Sequence, residues 1–169
     1  MTTIVIDCER KQVAADGQRT NHIEGGDGGI IPQTYHYNHS VQKIHKVGNV
    51  VIVGTGDSEA IESEVLFYKT HGRLPKQPRG IREIAVVQRK GDVVQVDTHK
   101  SQSIRTFWGG KKVTSTTTIH LCSKNYITLG SGANYAFAGM QAGMTAEEAV
   151  VLASKCDPYT NNNVTVVDL

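Results

Sequence analysis

The stretch T-T-I-V-I-D-C-E-R-K-Q-V-A-A-D-G, residues 2–17, decides the fold of this chain. Its two apolar segments, residues 2–7 and 11–15, are short and separated by C-E-R, which predicts two strands joined in a hairpin. The paired alanines at the end of the second segment indicate a strand that packs closely against a neighbouring layer. The chain is therefore expected to build its core around an N-terminal hairpin.

Thr2 directly follows the initiator methionine of this hairpin. Threonine is a common second residue, so its presence alone indicates little. Removal of Met1 would nevertheless leave a hydroxyl and a free α-amine on one residue, and this pair can act as a nucleophile and its own base. Other motifs in the chain are needed to distinguish between these two interpretations.

The remaining patterns alternate between strand and helix signals. Further strands are predicted at residues 40–47, 50–53, 82–90, 92–98, 113–121, 126–129 and 164–167, and a glycine-rich loop at 23–32. Helices are predicted at residues 57–71, stopped by Gly72, at 132–141, and from Thr145 to about Lys155, where T-A-E-E forms a capping box. This order predicts an α+β fold, with helices segregated from largely antiparallel sheets, in a single domain over residues 1–169.

Composition excludes several function classes. The 169 residues include 18 Lys and Arg against 16 Asp and Glu, a formal charge of +2 that favours neither nucleic acid nor a membrane surface. The odd set of Cys8, Cys122 and Cys156 lacks metal-binding spacing and predicts reduced core thiols in the cytosol. Without an apolar run of membrane-span length or a signal-peptide pattern, a soluble, cytoplasmic protein is expected.

A series of short motifs resembles one family. They are T-T-I-V, A-D-G-Q, V-Q-K-I, V-G-T-G, L-G-S-G-A-N-Y-A, M-T-A-E-E-A-V and D-P-Y-T-N-N, in that order. Their order and spacing resemble proteasome-like N-terminal-nucleophile hydrolases, most closely the bacterial HslV type, over roughly residues 2–20, 40–70 and 125–169. The resemblance implies a four-layer αββα sandwich, here with a shortened helical layer.

The resemblance also implies an active site. The residues that match the family's catalytic set are Thr2, Asp16, Lys43, Gly54, Ser131, Asp157 and Thr160. Thr2 would attack a peptide carbonyl, with its α-amine as base, because an α-amine has a reference pKa of about 7.7 to 8.0. Asp16 would orient Lys43, whose charge favours the neutral amine and the developing alkoxide. The N–H of Gly54 would stabilise the oxyanion, and the other three would hold the amine.

Substrate and cation positions follow from the same resemblance. The matching substrate-binding residues are Arg19, Thr20, Val41, His45, Ile52 and Gly56. Arg19 replaces a small residue, which would move the preference toward acidic or polar side chains. No organic cofactor is expected. A structural monovalent cation such as Na⁺ would be held by the backbone carbonyls of Ser154, Asp157 and Thr160.

The chain departs from the family in two places. A glycine-rich insertion at about residues 21–39 separates Asp16 from Lys43, where relatives build part of the cleft. No second long helix follows residue 71, so a homo-oligomeric ring and an ATPase partner are both left open. The function expected is a threonine-type endopeptidase acting on a peptide or protein. The alternatives are a catalytically silent, proteasome-like binding or assembly subunit, and an amidase acting on a small amide.

Overall fold

The computed structural model describes residues 2–22, 34–37, 41–76, 82–105 and 111–169. In chain order its strands are β1 (Thr3–Asp7), β2 (Gln12–Asp16), β3 (Arg19–His22), β4 (Thr34–Tyr37), β5 (Ile44–Val47), β6 (Val50–Gly56), β7 (Arg82–Lys90), β8 (Val93–Arg105), β9 (Lys111–Cys122), β10 (Tyr126–Gly130) and β11 (Val164–Asp168). The helices are α1 (Ser58–His71), α2 (Ala133–Gln141) and α3 (Ala146–Cys156). The predicted mixture of helices and antiparallel strands is confirmed.

The N-terminal hairpin forms as predicted and is the centre of a four-stranded antiparallel sheet. The strand order is β10-β1-β2-β11, so the C-terminal segments flank the hairpin on both sides. A five-stranded antiparallel sheet has the order β5-β6-β7-β8-β9, which follows the chain because each strand pairs with the next. A separate pair, β3-β4, lies within the insertion.

Alternating side chains divide the interior into three cores. Between the two sheets lie Ile4, Ile6 and Val13 from the first, against Val51, Val53, Val87 and Val96 from the second. On the other face of the four-stranded sheet, Val5 and Ala14 pack against α2 and α3. On the other face of the five-stranded sheet, Ile52 and Ile84 pack against Ile61 and Val65 of α1.

Local signals set the ends of two helices. The carboxylate of Asp57 accepts the N–H groups of Glu59 and Ala60 at the start of α1, and Gly72 ends the helix with φ of 67°. At α3, the hydroxyl of Thr145 accepts the N–H of Glu148, whose carboxylate accepts the N–H of Thr145. Both starts are confirmed predictions.

The prediction of reduced core thiols is wrong. Cys8, after β1, and Cys122, at the end of β9, form a disulfide with Cα atoms 5.9 Å apart, and it links the two sheets. Cys156 is free but exposed rather than in a core. Cys8 and Cys122 lie 114 positions apart in the chain, and they meet because the two sheets pack together. The spacing of the cysteines in the sequence does not reveal this contact. Since disulfides are rare in the cytosol, the cysteines no longer support a cytosolic location.

The insertion contains more regular structure than its glycines suggest. Strands β3 and β4 pair antiparallel, with Arg19 opposite Tyr37 and His22 opposite Thr34. The predicted loop at 23–32 lies outside the described residues. Within the described part, no helix lies between α1 and α2, as expected. No helix in that part is both long and apolar enough to cross a membrane.

Candidate active site

Asp16 is the centre of the predicted catalytic set. It ends β2, is 1% exposed, and lies opposite Val164 of β11. Its Oδ1 accepts the N–H of Thr3 at 2.7 Å and a hydrogen bond from Lys43 Nζ at 2.9 Å. Since Thr3 follows Thr2 in the chain, one carboxylate oxygen holds both the predicted lysine and the backbone next to the predicted nucleophile.

The second oxygen of Asp16 is held by backbone. Oδ2 accepts the N–H of Gln18 at 3.0 Å and that of Asn161 at 3.4 Å. The N–H of Gly17 donates to the carbonyl of Asn163 at 2.8 Å, which ties this turn to the segment before β11. A buried carboxylate needs such donors, and here three main-chain groups and an ammonium supply them.

Lys43 is largely removed from water, with a side chain that is 8% exposed. Burial lowers the pKa of its amine from the ordinary lysine value, while the carboxylates of Asp16 and Asp157 act in the opposite direction. The ion pair with Asp16 thus offsets part of the cost of burying the charge. The resulting amine gives up its proton more readily than a lysine in solution.

A second cluster lies around Asp157, the residue that ends α3. Its Oδ2 accepts the hydroxyls of Ser131 at 2.6 Å and Thr160 at 2.8 Å, and its Oδ1 accepts the N–H of Tyr159 at 3.1 Å. The hydroxyls of Thr160 and Thr3 are 2.6 Å apart. Because Thr160 donates to Asp157, Thr3 donates to Thr160.

Thr3 therefore joins the two clusters, with its N–H on Asp16 and its hydroxyl on Thr160. Sequence reasoning missed this role and treated Thr3 as part of a strand. The available signal was its position immediately after Thr2, in a strand whose other side chains are mostly apolar. All the predicted supporting residues except Gly54 thus belong to one connected network of hydrogen bonds around the start of β1.

Two glycines allow this close approach. Gly130 lies opposite Thr3 and has φ of 94°, and a Cβ there would lie 1.8 Å from the carbonyl oxygen of Thr2. A Cβ on Gly132 would lie 2.1 Å from the hydroxyl oxygen of Thr3. The G-S-G segment thus has no room for side chains on either side of Ser131. Sequence reasoning had singled out only the serine.

Gly54 lies in β6 opposite Ile84. A Cβ on Gly54 would lie 3.0 Å from the side chain of Ile61, so packing against α1 also favours glycine at this position. The next residue, Thr55, has its methyl group 3.4 Å from the Cβ position of Gly130. The end of β6 therefore lies against the β10 residue that contacts Thr2.

Thr2 itself is 4% exposed, and Met1 lies outside the described residues. A nucleophile must be reached by its substrate, so the burial of Thr2 is relevant to any catalytic proposal.

Of the predicted substrate positions, His45 and Ile52 lie directly opposite one another in β5 and β6. Ile52 is fully buried in the core beneath α1. Burial lowers the pKa of His45, and the charge of Lys69 lowers it further, so the imidazole is neutral near pH 7. Its Nε2 is buried and has no hydrogen-bond partner among the described residues.

The other substrate positions are less connected. The N–H of Val41 donates to the carbonyl of Gly17 at 3.0 Å, which places this half-buried residue beside the Asp16 turn. Gly56 is exposed at the end of β6, opposite Arg82. Arg19 and Thr20 lie in β3, and their side chains are outside the described part.

The predicted cation ligands lie at the end of α3. Ser154 is four residues before Pro158, which has no N–H, so its carbonyl lacks an intrahelical donor. The carbonyl of Asp157 accepts the N–H of Thr160 at 3.1 Å. The carbonyl of Ser154 therefore has a free lone pair of the kind that a hard monovalent cation binds, and the cation site stays a prediction. Among the described residues, no cluster of three His, Cys, Asp or Glu residues forms a metal site.

Comparisons with known proteins agree with the resemblance, although no family model matches the chain. It is 28% identical to the ATP-dependent protease subunit HslV of Caldanaerobacter subterraneus subsp. tengcongensis, over 95% of this chain and 93% of that protein. Thiobacillus denitrificans BPH, solved in complex with epoxomicin, matches with a TM-score of 0.60 and 16% identity, over 99% of this chain and 98% of that one. The predicted resemblance to HslV-type, proteasome-like proteins is confirmed.

Proposed function

We propose that this HslV-like chain is a threonine-type peptidase whose nucleophile is Thr2, exposed by removal of Met1. One observation carries the proposal. A single oxygen of Asp16 binds both Lys43 and the N–H of the residue after Thr2, although these groups lie 27 and 13 positions away from Asp16 in the chain. A buried ion pair aimed at the start of a strand has no evident packing purpose and is suited to activating a terminal nucleophile.

The proposed reaction begins with attack of the Thr2 hydroxyl on a peptide carbonyl. The free α-amine takes the hydroxyl proton and passes it to the leaving amine, and an acyl ester forms as the peptide bond breaks. The protonated Lys43 stabilises negative charge on the Thr2 oxygen, while the N–H of Gly54 stabilises the oxyanion on the substrate. Water then hydrolyses the ester and restores the threonine.

The fold proposed for this activity is the four-layer αββα sandwich. It is supported by the order of the three cores, in which α1, the five-stranded sheet, the four-stranded sheet and the pair α2–α3 follow one another. We take residues 1–169 as one domain. The layer over the five-stranded sheet is shortened, since among the described residues only α1 packs there.

Partners and a cation complete the proposal. A peptide or protein is the expected substrate. A homo-oligomer and an ATPase partner are suggested by the relative's designation as an ATP-dependent protease subunit. A monovalent cation at Ser154, Asp157 and Thr160 would brace the segment that carries the Asp157 cluster. Arg19 would favour acidic or polar residues in the substrate.

Intact mass spectrometry tests the nucleophile. The purified chain is measured before and after treatment with a peptide epoxyketone, which reacts with a hydroxyl and a free amine on the same residue. We expect loss of Met1 and a single adduct that is absent in Thr2→Ala and slower in Lys43→Ala. Lys46→Ala, an exposed lysine in β5, is the matched control and should react like the native chain. Loss of Met1 without an adduct in the native chain would overturn the proposal.

A silent binding subunit is the second candidate, and the burial of Thr2 favours it. If Met1 is retained, the Thr2 nitrogen is an amide and cannot act as a base, and the mass measurement shows this directly. A small-molecule amidase would give the same adduct as a peptidase. A panel of peptides and simple amides separates these two activities by their kcat/KM values.

A further inference from the structure

A cavity lies on the outer face of the five-stranded sheet. Its volume is about 370 Å³, within the range of small-molecule sites. The end of α1 and the residues after it form one wall, and strands β7, β8 and β9 form the floor and the opposite wall. Among the described residues, none of the predicted catalytic or substrate-binding residues lines it, although Gly56 is the cross-strand neighbour of Arg82 at its floor.

The cavity walls carry an excess of positive charge. Arg73 and Lys76 are exposed on the wall after α1, and Arg82 lies at the floor. Among the described lining residues the one carboxylate is that of Asp97, which accepts hydrogen bonds from the side-chain amide of Gln95 at 2.9 and 3.0 Å. Three cations against one carboxylate favour an anionic ligand, and the Glu64 partner of Arg82 still leaves a net positive charge.

Arg82 adds a donor that the fold does not satisfy. Its guanidinium is 2% exposed, pairs with Glu64, and donates through one terminal nitrogen to the carbonyl of His99 at 3.1 Å. Its Nε is buried and has no hydrogen-bond partner among the described residues. An unmet buried donor is costly. Both terminal nitrogens of Arg82 are already engaged, so Arg82 offers an anion its positive charge and this one N–H group.

Hydroxyl and imidazole groups complete the lining. Tyr68, Ser115 and Thr117 line the cavity, and the hydroxyl of Thr117 is 3.0 Å from Nδ1 of His99. Burial, together with the charge of Arg82, lowers the pKa of His99. The ring is therefore neutral near pH 7, and with the hydroxyls it offers hydrogen bonds to the rest of a ligand.

We propose that this cavity binds a small molecule that carries a phosphate or carboxylate group, held by Arg73, Lys76 and Arg82. The proposal is independent of the peptidase function, because it uses other residues and a different face of the sheet. A phosphate and a carboxylate would use the same hydrogen-bond donors in this cavity. Titration with two probes therefore distinguishes the two kinds of ligand. Inorganic phosphate represents phosphate ligands and citrate represents carboxylate ligands.

Calorimetric titration of the full chain at constant ionic strength is the test. We expect one site for phosphate or for citrate, and an affinity lower by about tenfold or more in Arg73→Ala/Lys76→Ala. Both side chains are exposed, so the fold should be retained. The matched control is Arg89→Ala/Lys124→Ala, which removes one exposed arginine and one exposed lysine outside the cavity and should bind as the native chain does.

NMR of the histidine rings gives an independent readout. The His99 signals should shift with the same affinity as the calorimetric titration, while those of His120, exposed on β9 and not among the lining residues, should not. The proposal is overturned if neither probe binds at millimolar concentration, or if the cavity variant and the control variant lose affinity equally. Shifts at both histidines would overturn it too, because they would indicate general surface binding.

Discussion

Two buried ion pairs in this molecule differ in how their charges are held. Asp16–Lys43 has side chains that are 0% and 8% exposed, and Glu64–Arg82 has side chains that are 1% and 2% exposed. Asp16 also accepts three backbone N–H groups, so its carboxylate is fixed to the main chain on both oxygens. Arg82 instead retains a buried N–H without a partner among the described residues.

The difference agrees with the two functions proposed above for these regions. Asp16–Lys43 lies beside Thr2 and holds a lysine whose burial lowers its pKa, as expected for a site that handles protons. Glu64–Arg82 ties α1 to β7 and borders an open cavity, as expected for a structural link that also meets a ligand. Equal burial therefore does not indicate equal function. The hydrogen-bond donors around each ion pair, rather than the burial of the pair, distinguish Asp16–Lys43 from Glu64–Arg82.

The largest effect is expected when the lysine of the Asp16–Lys43 pair is removed. This effect should be on activity. Lys43→Ala is expected to lower kcat/KM for a peptide substrate by about 10³-fold, the upper end for loss of one electrostatic stabiliser of a transition state. Steady-state peptide hydrolysis measures it, with Lys46→Ala as the control. Hydrolysis at the native rate by Lys43→Ala would show that the first pair is structural as well.

Breaking the Glu64–Arg82 pair should lower the stability of the fold rather than the activity. Glu64→Gln leaves the buried guanidinium of Arg82 without its charge partner, and we expect the free energy of unfolding to fall by about 3–5 kcal/mol. Urea denaturation measures this quantity. Glu62→Gln removes an exposed carboxylate from the same helix and should change it little. A similar small change in both variants would contradict the contrast between the two pairs.

The link between the Asp16 and Asp157 clusters can be cut with Thr3→Val. This change keeps the shape and the backbone N–H but removes the hydroxyl that donates to Thr160. Loss of a buried hydrogen bond should lower the free energy of unfolding by about 1–2 kcal/mol. Rescue by Thr3→Ser, with peptide hydrolysis measured in parallel, would assign the effect to the hydroxyl. Equal loss in the serine variant would point to packing of the methyl group.

The pH profile gives a smaller but diagnostic effect. Burial lowers the pKa of Lys43, so its charge is present at lower pH and is lost as pH rises through a value below the ordinary 10.5. Peptidase kcat/KM should therefore decline on the alkaline side before a free lysine would titrate. The same shift makes the contribution of Lys43 to folding stability rise over that window, because the folded chain binds fewer protons.

Lys43→Arg is the control for the pH profile, since a guanidinium does not titrate in this range. Its alkaline decline should move to higher pH or disappear. A decline that stays in place would have to come from another group.

Much of the fold was predictable because the deciding signals are local. Asp57 and Gly72 define α1 within one helical turn of each end, and a short apolar run marks β1. The disulfide was missed because Cys8 and Cys122 meet only after the two sheets pack. The pairing of β3 with β4 was hidden by the polar composition of both strands.

The residues of the candidate site were selected from the sequence for a different reason. Asp16, Lys43, Ser131, Asp157 and Thr160 were chosen by resemblance, and the fold brings them into one hydrogen-bonded network. Thr3, Gly130 and Asn161 were missed because they act through backbone atoms or through a hydroxyl in a strand. The main-chain donors of Thr3 and Asn161 leave no mark on residue identity, and the need for glycine at position 130 appears only when β10 pairs with β1.

By itself, the sequence determined most of the helices and strands of this protein, though not β3 and β4, and the residue types that its chemistry would need. Caps, turns and alternating strands depend on neighbours a few positions away, and the chain specifies those directly. Only the tertiary structure decided which charges meet and which donors remain unmet. Asp16 binds the N–H groups of Thr3 and Asn161, which are 13 and 145 residues away from it in the chain. Arg82 of β7 meets Glu64 of α1 where the helix packs on the sheet. Such contacts exist only once the sheets have paired and the layers have packed.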